Sequence, residues 1–185
     1  MIPALATRIL ALFGWRVDVV PPPGPKGIII VYPHTSNWDF PIGYLTKMAM
    51  GLPIAFVGKD TLFRWPVGGV LRRMGGIPAN RRERTGLIGQ LKEEFRRRDW
   101  MWLAIAPEGT RSHVPHWKSG FYRLALEAGV PVGLAFIDYG KREVGLRDYV
   151  RMTGDRDADM ERIRAAYAGK VGLLPERAGE IRLED

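Results

Sequence analysis

The order of apolar and polar positions along the chain predicts alternating strands and helices. Four short, continuous apolar runs are typical of strands that are buried on both faces: GIIIVY (27–32), PIAFVG (53–58), WMWLAIA (100–106) and VPVGLAFIDY (130–139). Five further stretches predict helices: about 38–50, 65–74, 85–98, 121–128 and 155–168. This alternation with short links predicts an α/β fold, a single domain with a mostly parallel central sheet flanked by helices.

Residues 1–20 form an N-terminal segment with a pattern of its own. Read as a helix, the segment places Leu5, Ile9 and Leu12 on one face, but its apolar stretch is too short to span a bilayer. Such an N-terminal amphipathic helix fits a position in a membrane interface, and it fits a first helix packed on the domain equally well. We therefore divide the chain into an interfacial segment, 1–20, and one domain, 21–185.

Composition and charge narrow the classes of function. With 185 residues, 46% of them hydrophobic and 26% charged, the chain is typical of one globular domain with a sizeable core. It has no cysteine, which excludes disulfides, thiolate nucleophiles and thiolate zinc sites. The formal net charge of +8 favours anionic partners: nucleic acid, acidic lipid headgroups or phosphorylated small molecules.

Polar residues follow two of the predicted strands directly. His34 comes just after the strand 27–32, and Glu108 comes just after the strand 100–106. Ligands of parallel α/β sheets bind at the carboxyl ends of strands, so these positions are the first indication of a functional site.

The run HTSNWD places His34 five positions before Asp39. On a regular helix this spacing turns the two side chains apart by about 500°. They can meet only if His34 lies in the loop and Asp39 in the first helical turn. The Asp39 carboxylate would then accept the Nδ1 proton and leave Nε2 as a general base. In the alternative interpretation, Asp39 favours the helix N-terminus electrostatically and His34 has no chemical role.

A second polar loop, APEGTRS at 106–112, follows the third predicted strand. Arg111 can hold a phosphate as a fork, while Thr110 and the backbone amides around Gly109 can add hydrogen bonds. The alternative is an ordinary turn held by an ion pair between Glu108 and Arg111.

Other basic and histidine-containing stretches are less specific. GGIPANRR at 75–82 predicts a glycine loop with a basic rim, or merely a solvated charged loop. His113 and His116 form a candidate metal site, but Pro115 between them disfavours the helix that would bring both to one ion. Lys118 more naturally continues the basic rim. The sequence has no serine hydrolase elbow, Walker phosphate loop or dinucleotide glycine fingerprint.

Four of these blocks occur in a defined order: HTSNWD (34–39), GGIPANR (75–81), APEGTRS (106–112) and VPVGLA (130–135). Together they resemble the glycerolipid acyltransferase family, whose best-known members are the lysophosphatidic acid acyltransferases. The run GKDTLFRWP (58–66) is similar to the lysine-containing segment of that family. The resemblance spans about 28–138, and its specific part is H-x4-D followed by P-E-G-T-R-S.

The resemblance implies a glycerol-phosphate-acyltransferase-like fold and an O-acyltransferase activity. His34, oriented by Asp39, would remove the proton from the hydroxyl of a lyso-lipid acceptor, with 1-acylglycerol-3-phosphate as the leading candidate. Acyl-CoA or acyl carrier protein would be the co-substrate, with no cofactor and no metal. The residues implied in binding the acceptor or its phosphate are Arg81, Glu108, Gly109, Thr110, Arg111, Lys59 and Lys118.

The net charge and the resemblance together imply an anionic membrane surface as a partner, and not nucleic acid, because the sequence carries no RNA-binding signature. We expect a cytoplasmic protein that is peripheral on the inner face of the cell membrane. Three alternatives remain open: an acyltransferase for a non-glycerol lipid alcohol such as a lyso-ornithine-type lipid, a non-catalytic anionic-lipid-binding protein, and a metal-dependent hydrolase built on His34, His113, His116 and Glu108.

Overall fold

The computed structural model of the chain describes residues 2–79 and 84–184. Seven strands are found within these ranges: β1 Arg16–Val19, β2 Lys26–Tyr32, β3 Ala55–Lys59, β4 Gly76–Ala79, β5 Met101–Ile105, β6 Val132–Asp138 and β7 Glu143–Val150. They form one sheet in the order β1-β7-β6-β2-β5-β3-β4. All neighbours are parallel except the antiparallel pair of β6 and β7.

Helices of the described residues cover both faces of this sheet. They are α1 Ile2–Leu12, α2 Asp39–Met50, α3 Gly68–Arg73, α4 Arg84–Arg97, α5 Gly120–Ala128 and α6 Arg156–Tyr167, with 3-10 turns η1 Asp60–Phe63 and η2 Pro175–Arg177. Side chains of β2 alternate between the faces: Ile28 and Ile30 pack with α4, α5 and α6, and Val31 packs with α1 and α2. The predicted α/β fold with a mostly parallel sheet flanked by helices is confirmed.

Three strands were not predicted from the sequence: β1, β4 and β7. The stretch 75–82 was predicted to be a glycine loop, and this prediction is wrong for Gly76–Ala79. β1 and β4 have four residues each and lie at the two edges of the sheet, so neither carries a long apolar run. In β7 the charges of Arg147 and Asp148 interrupt the apolar pattern.

The N-terminal helix α1 packs on α2 and buries Ala6 and Leu10. Leu5 and Leu12, which belong to the face predicted to be apolar, are exposed. β1 follows within the segment 1–20 and is part of the sheet. In the part of the chain that the structure describes, none of the helices is both long and apolar enough to cross a bilayer.

The sheet order brings two loops of the predicted site together. β2 lies between β5 and β6, and Ile30 is in register with Ile105 and Leu134. Because these strands are parallel, their carboxyl ends share one edge of the sheet. The loop 33–38 after β2 therefore lies beside the loop 106–119 after β5.

Candidate active site

His34 and Asp39 contact each other at the carboxyl end of β2. His34 lies in the loop two residues beyond the strand, and Asp39 is the first residue of α2. The distance from His34 Nδ1 to Asp39 Oδ2 is 3.1 Å, and the exposed fraction is 17% for the histidine side chain and 1% for the aspartate side chain. β2 ends before Pro33, and α2 begins at Asp39. This change from strand to loop to helix lets two side chains five positions apart contact each other.

Two further donors fix the Asp39 carboxylate. The Ser36 N–H donates to Oδ2 over 2.9 Å, and the Tyr139 hydroxyl donates to Oδ1 over 2.9 Å. Tyr139 follows β6 directly, and its ring contacts Trp15 edge to face with centroids 4.9 Å apart. Burial, followed by the hydrogen bond and the negative charge of Asp39, raises the pKa of Tyr139 well above its ordinary value, so the phenol stays protonated and donates.

Glu108 lies beneath the loop that carries His34. Its Oε2 accepts a hydrogen bond from the His34 backbone N–H at 2.8 Å, and its Oε1 accepts one from the Gly179 N–H at 2.7 Å. The pKa of Glu108 is raised to about 7. Burial is the largest cause, the two backbone donors oppose it, and the negative charge of Asp39 adds to it. Both carboxylate oxygens thus accept hydrogen bonds from backbone amides, so Glu108 supports the loop that carries His34, and its contact with the acceptor stays a prediction.

The ion pair between Glu108 and Arg111, offered as an alternative for this loop, is not among the ion pairs of the described residues. Arg111 Nε instead donates to the carbonyl oxygen of Ser36 over 3.2 Å. This hydrogen bond joins the loop after β5 to the loop after β2. The guanidinium therefore lies on the same side of the sheet edge as the dyad.

Gly109 has a φ of +67°, a conformation that favours glycine, and the Lys118 side chain crosses it closely. A Cβ on Gly109 would lie 2.9 Å from Lys118 Cε, so any side chain at this position would displace the lysine. Thr110 is exposed, and its hydroxyl accepts a hydrogen bond from the Ser112 N–H.

One cavity of about 1280 Å³ connects these side chains. Its polar part is lined by most of the predicted site residues: His34, Asp39, Lys59, Gly109, Thr110, Arg111 and Lys118. Its remaining walls are largely apolar and include Ile54, Phe56, Val57, Leu62, Leu71 and Ile88. Glu108 does not line it, and Arg81 lies outside the described residues. A cavity lined by a set of polar side chains and by largely apolar walls suits an amphiphilic ligand.

The C-terminal segment 170–184 forms part of the site and was not predicted to do so. The Leu174 N–H donates to the Thr35 hydroxyl over 3.3 Å, and the Tyr32 hydroxyl donates to the Gly179 carbonyl over 3.3 Å. A Cβ on Gly172 would lie 2.7 Å from Thr35 Oγ1, which shows how closely the segment packs on the loop. No local signal in the sequence connects these residues with the loop after β2.

The histidines considered for a metal site do not come together. His113 Nδ1 contacts the Ala178 carbonyl oxygen at 3.0 Å, and His116 Nδ1 lies 4.0 Å from Glu184. His34 contacts Asp39 instead. Over residues 2–79 and 84–184, no group of three or more histidine or carboxylate side chains is arranged to hold a metal ion.

The fold and the site together define a class of α/β protein in which a histidine, held by a buried carboxylate, opens onto an apolar cavity. Residues 18–133 match the family model described as Acyltransferase. Because this match covers more than half of the chain, the chain belongs to the Acyltransferase family. The family predicted from the sequence is confirmed.

The fold is similar to that of a solved structure, the 1-acyl-sn-glycerophosphate (LPA) acyltransferase PlsC from Thermotoga maritima. The TM-score is 0.55 at 21% sequence identity, and the alignment covers 89% of this chain and 74% of that chain. At this level of identity the similarity concerns the fold alone. A comparison with curated proteins gives no match.

Proposed function

We propose that this acyltransferase moves an acyl chain from a thioester to the hydroxyl of a lyso-lipid, with His34 and Asp39 as its general-base dyad. The contact of 3.1 Å between His34 Nδ1 and Asp39 Oδ2, two residues that line the cavity, is the observation that carries the proposal. A general base must lie at the surface of the ligand site, and the side chain of His34 lines it.

The reaction follows from the orientation of the imidazole. Since Nδ1 donates to Asp39, Nε2 of His34 is the basic nitrogen. Nε2 takes the proton of the acceptor hydroxyl while the hydroxyl oxygen attacks the carbonyl carbon of the thioester. The tetrahedral intermediate then breaks its C–S bond, and the departing thiolate takes the proton from His34. The imidazole returns to its starting state, and no acyl-enzyme forms.

The leading acceptor is 1-acylglycerol-3-phosphate, which carries both a phosphate and an apolar chain. Arg111, Lys59 and Lys118 line the same cavity as His34, and guanidinium and ammonium groups bind phosphate. Gly109 and Thr110 line it as well, so their polar groups supplement these cations. Arg81 is proposed as a further phosphate ligand on the resemblance to the family.

The proposed donor is acyl-CoA or acyl carrier protein, as a co-substrate, and the steps above need no cofactor or metal ion. We place the enzyme at the cytoplasmic face of the cell membrane as a peripheral protein. Anionic headgroups attract a protein with a net charge of +8, and they hold it where lyso-lipids are present.

Acyl transfer by purified His34→Ala tests the proposal. Thiol release from acyl-CoA, and transfer from acyl carrier protein, are followed with lysophosphatidic acid, other lyso-phospholipids and a lyso-ornithine lipid as acceptors. We expect acceptor-dependent turnover that His34→Ala lowers by about 10³-fold, since general-base catalysis contributes about 10²–10⁴-fold. His113→Ala, which removes an exposed histidine that does not line the cavity, is the matched control.

If the lyso-ornithine lipid supports turnover and lysophosphatidic acid does not, the proposed acceptor is wrong, but the proposed role of the dyad stands. Full activity of folded His34→Ala, or equal losses in both variants, would overturn the dyad itself.

A further inference from the structure

Large apolar side chains are exposed on the segment 60–73, which comprises η1, the following turn and α3. Trp65 is 94% exposed, and Leu62, Val67 and Val70 are each 54–55% exposed. An isolated exposed apolar residue is common on protein surfaces, but four within nine positions form a patch that marks an interaction site.

The segment presents these side chains on a fixed backbone. Phe63 is buried beneath it, and its carbonyl accepts a hydrogen bond from Arg72 Nη1 over 3.0 Å. The Gly68 N–H donates to the Arg64 carbonyl over 2.8 Å. A Cβ on Gly68 would lie only 2.0 Å from the Phe63 carbonyl oxygen, so the backbone at Gly68 packs directly against the backbone at Phe63. The exposure of Trp65 is therefore a feature of the folded segment.

The charge of the segment 60–73 is mainly positive, with three arginines, Arg64, Arg72 and Arg73, against one acidic residue, Asp60. Arg64 lies within the patch, Arg73 lies three positions after it, and both are exposed. A surface that combines aromatic and aliphatic side chains with arginines complements the interface of an anionic bilayer.

The same segment also forms part of the cavity wall. Leu62, Val67 and Leu71 line the cavity, whereas Trp65 and Val70 do not. The apolar surface is thus continuous from the cavity to the outside of the segment. A lipid that leaves a bilayer at this place would keep its chain in contact with apolar side chains along the way.

The segment lies at the same end of α2 as the exposed start of α1. Lys47, near the end of α2, donates a hydrogen bond to the Met74 carbonyl that follows α3. A Cβ on Gly51, which caps α2, would lie 3.3 Å from Pro3 Cγ of α1. Ile2 on that helix is exposed as well.

From these observations we infer that the segment 60–73 is a docking surface for an anionic lipid bilayer, with Trp65 and Val70 inserted at the headgroup level and Arg64 and Arg73 against anionic headgroups. The inference rests on the proposed function, because it places the mouth of the lipid-binding cavity on the membrane. It adds to that function the surface that delivers the substrate.

The test is cosedimentation with vesicles of phosphatidylcholine alone and of phosphatidylcholine with phosphatidylglycerol. We expect wild type to bind the anionic vesicles and Trp65→Ser/Val70→Ser to bind them about tenfold more weakly, since partition scales with the apolar area inserted. Leu126→Ser/Leu173→Ser is the matched control, because it removes two exposed apolar side chains that lie outside the patch and the cavity. The His34→Ala protein should bind like wild type, which separates this test from that of the proposed reaction.

A second measurement uses short-chain substrates that are dissolved below their micellar concentration. Trp65→Ser/Val70→Ser should keep wild-type turnover of these substrates and lose turnover of lyso-lipid embedded in vesicles. Equal vesicle binding by wild type and this variant would overturn the inference. The inference would also be overturned if Trp65→Ser/Val70→Ser bound vesicles like wild type but no longer associated with acyl carrier protein or with a second copy of the chain. The patch would then be a protein-binding surface.

Discussion

The phenol oxygen of Tyr139 lies 2.9 Å from Oδ1 of Asp39, the carboxylate oxygen that does not contact His34. Each oxygen of this buried carboxylate therefore has its own donors, and rotation of the carboxylate would break both sets. Tyr139 thus positions Asp39 so that Oδ2 stays directed at the imidazole.

Replacing this phenol with Tyr139→Phe should lower kcat about tenfold and leave KM for the acceptor nearly unchanged. A hydrogen bond to a charged group contributes about 1.5–3 kcal/mol, and a loss of about 1.4 kcal/mol in the transition state is tenfold in rate. Steady-state kinetics with varied acceptor measure the two constants. Tyr149→Phe is the control, because it removes a hydroxyl that donates to the Val20 carbonyl, away from the dyad. A rise in KM with constant kcat would assign Tyr139 to acceptor binding.

Glu108 should make stability depend on pH in a direction opposite to that of most carboxylates. Its pKa is about 7 in the folded protein and 4.5 ordinarily, so between these values the folded state holds a proton that the unfolded chain has released. Its contribution is complete below about pH 4.5 and is lost as the pH rises through about 7. We expect the free energy of unfolding of wild type to fall, relative to Glu108→Gln, by about 2–3 kcal/mol from pH 5 to pH 8.

Urea unfolding at both pH values measures this difference. Glu108→Gln should be less stable than wild type at pH 5, since an amide nitrogen cannot accept the hydrogen bond of a backbone N–H. Parallel pH dependence of the two proteins would show that Glu108 is ionised throughout this range.

Two adjacent glycines of α3 should respond to alanine in opposite ways. A Cβ on Gly68 would lie 2.0 Å from the Phe63 oxygen, whereas nothing lies within 4 Å of a Cβ on Gly69. Gly68→Ala should destabilise the protein by about 1–3 kcal/mol, because the turn must move. Gly69→Ala should be neutral or stabilise by up to about 1 kcal/mol through the unfolded state. Thermal unfolding compares them, and equal shifts would argue against the close packing of Gly68.

Asp159 is a structural carboxylate that does not line the cavity. It is buried and accepts hydrogen bonds from the Tyr122 hydroxyl and the Thr153 N–H, both at 2.8 Å. Burial alone would raise the pKa of Asp159, but its hydrogen bonds lower it below the ordinary value. Asp159→Asn should therefore cost about 3 kcal/mol in unfolding free energy, while Asp157→Asn, at an exposed site on the same helix, should cost little. Turnover per folded molecule should stay at the wild-type value in both.

The parts of the fold and site that local patterns encode could be predicted from the sequence. The buried strands form continuous apolar runs, and the dyad spans five positions, so a strand, a proline and a helix start suffice to place His34 beside Asp39. The edge strands β1 and β4 could not be predicted, because each has only four residues, most of them half-buried, which leaves too little periodicity.

The supports of the dyad could not be predicted for a different reason. Tyr139 is 100 positions from Asp39, and Gly179 is 71 positions from Glu108. The first contact exists because β6 lies beside β2 in the sheet, and the second exists because the C-terminal segment 170–184 packs on the loop after β2. Both depend on the whole fold and on no local pattern. The sequence therefore predicted the APEGTRS loop as part of the site, but it gave no sign that Glu108 accepts a hydrogen bond from the backbone N–H of His34.

The hydrogen bond from Gly179 to Glu108 links the onset of activity to the order of synthesis. His34, Asp39 and Glu108 leave the ribosome well before Gly179 does, and domains fold as their segments emerge. A nascent chain that stops short of residue 179 has both members of the dyad but lacks the donor that fixes Glu108 under the loop. The chain is therefore expected to gain full acyltransferase activity only after this glycine has left the exit tunnel.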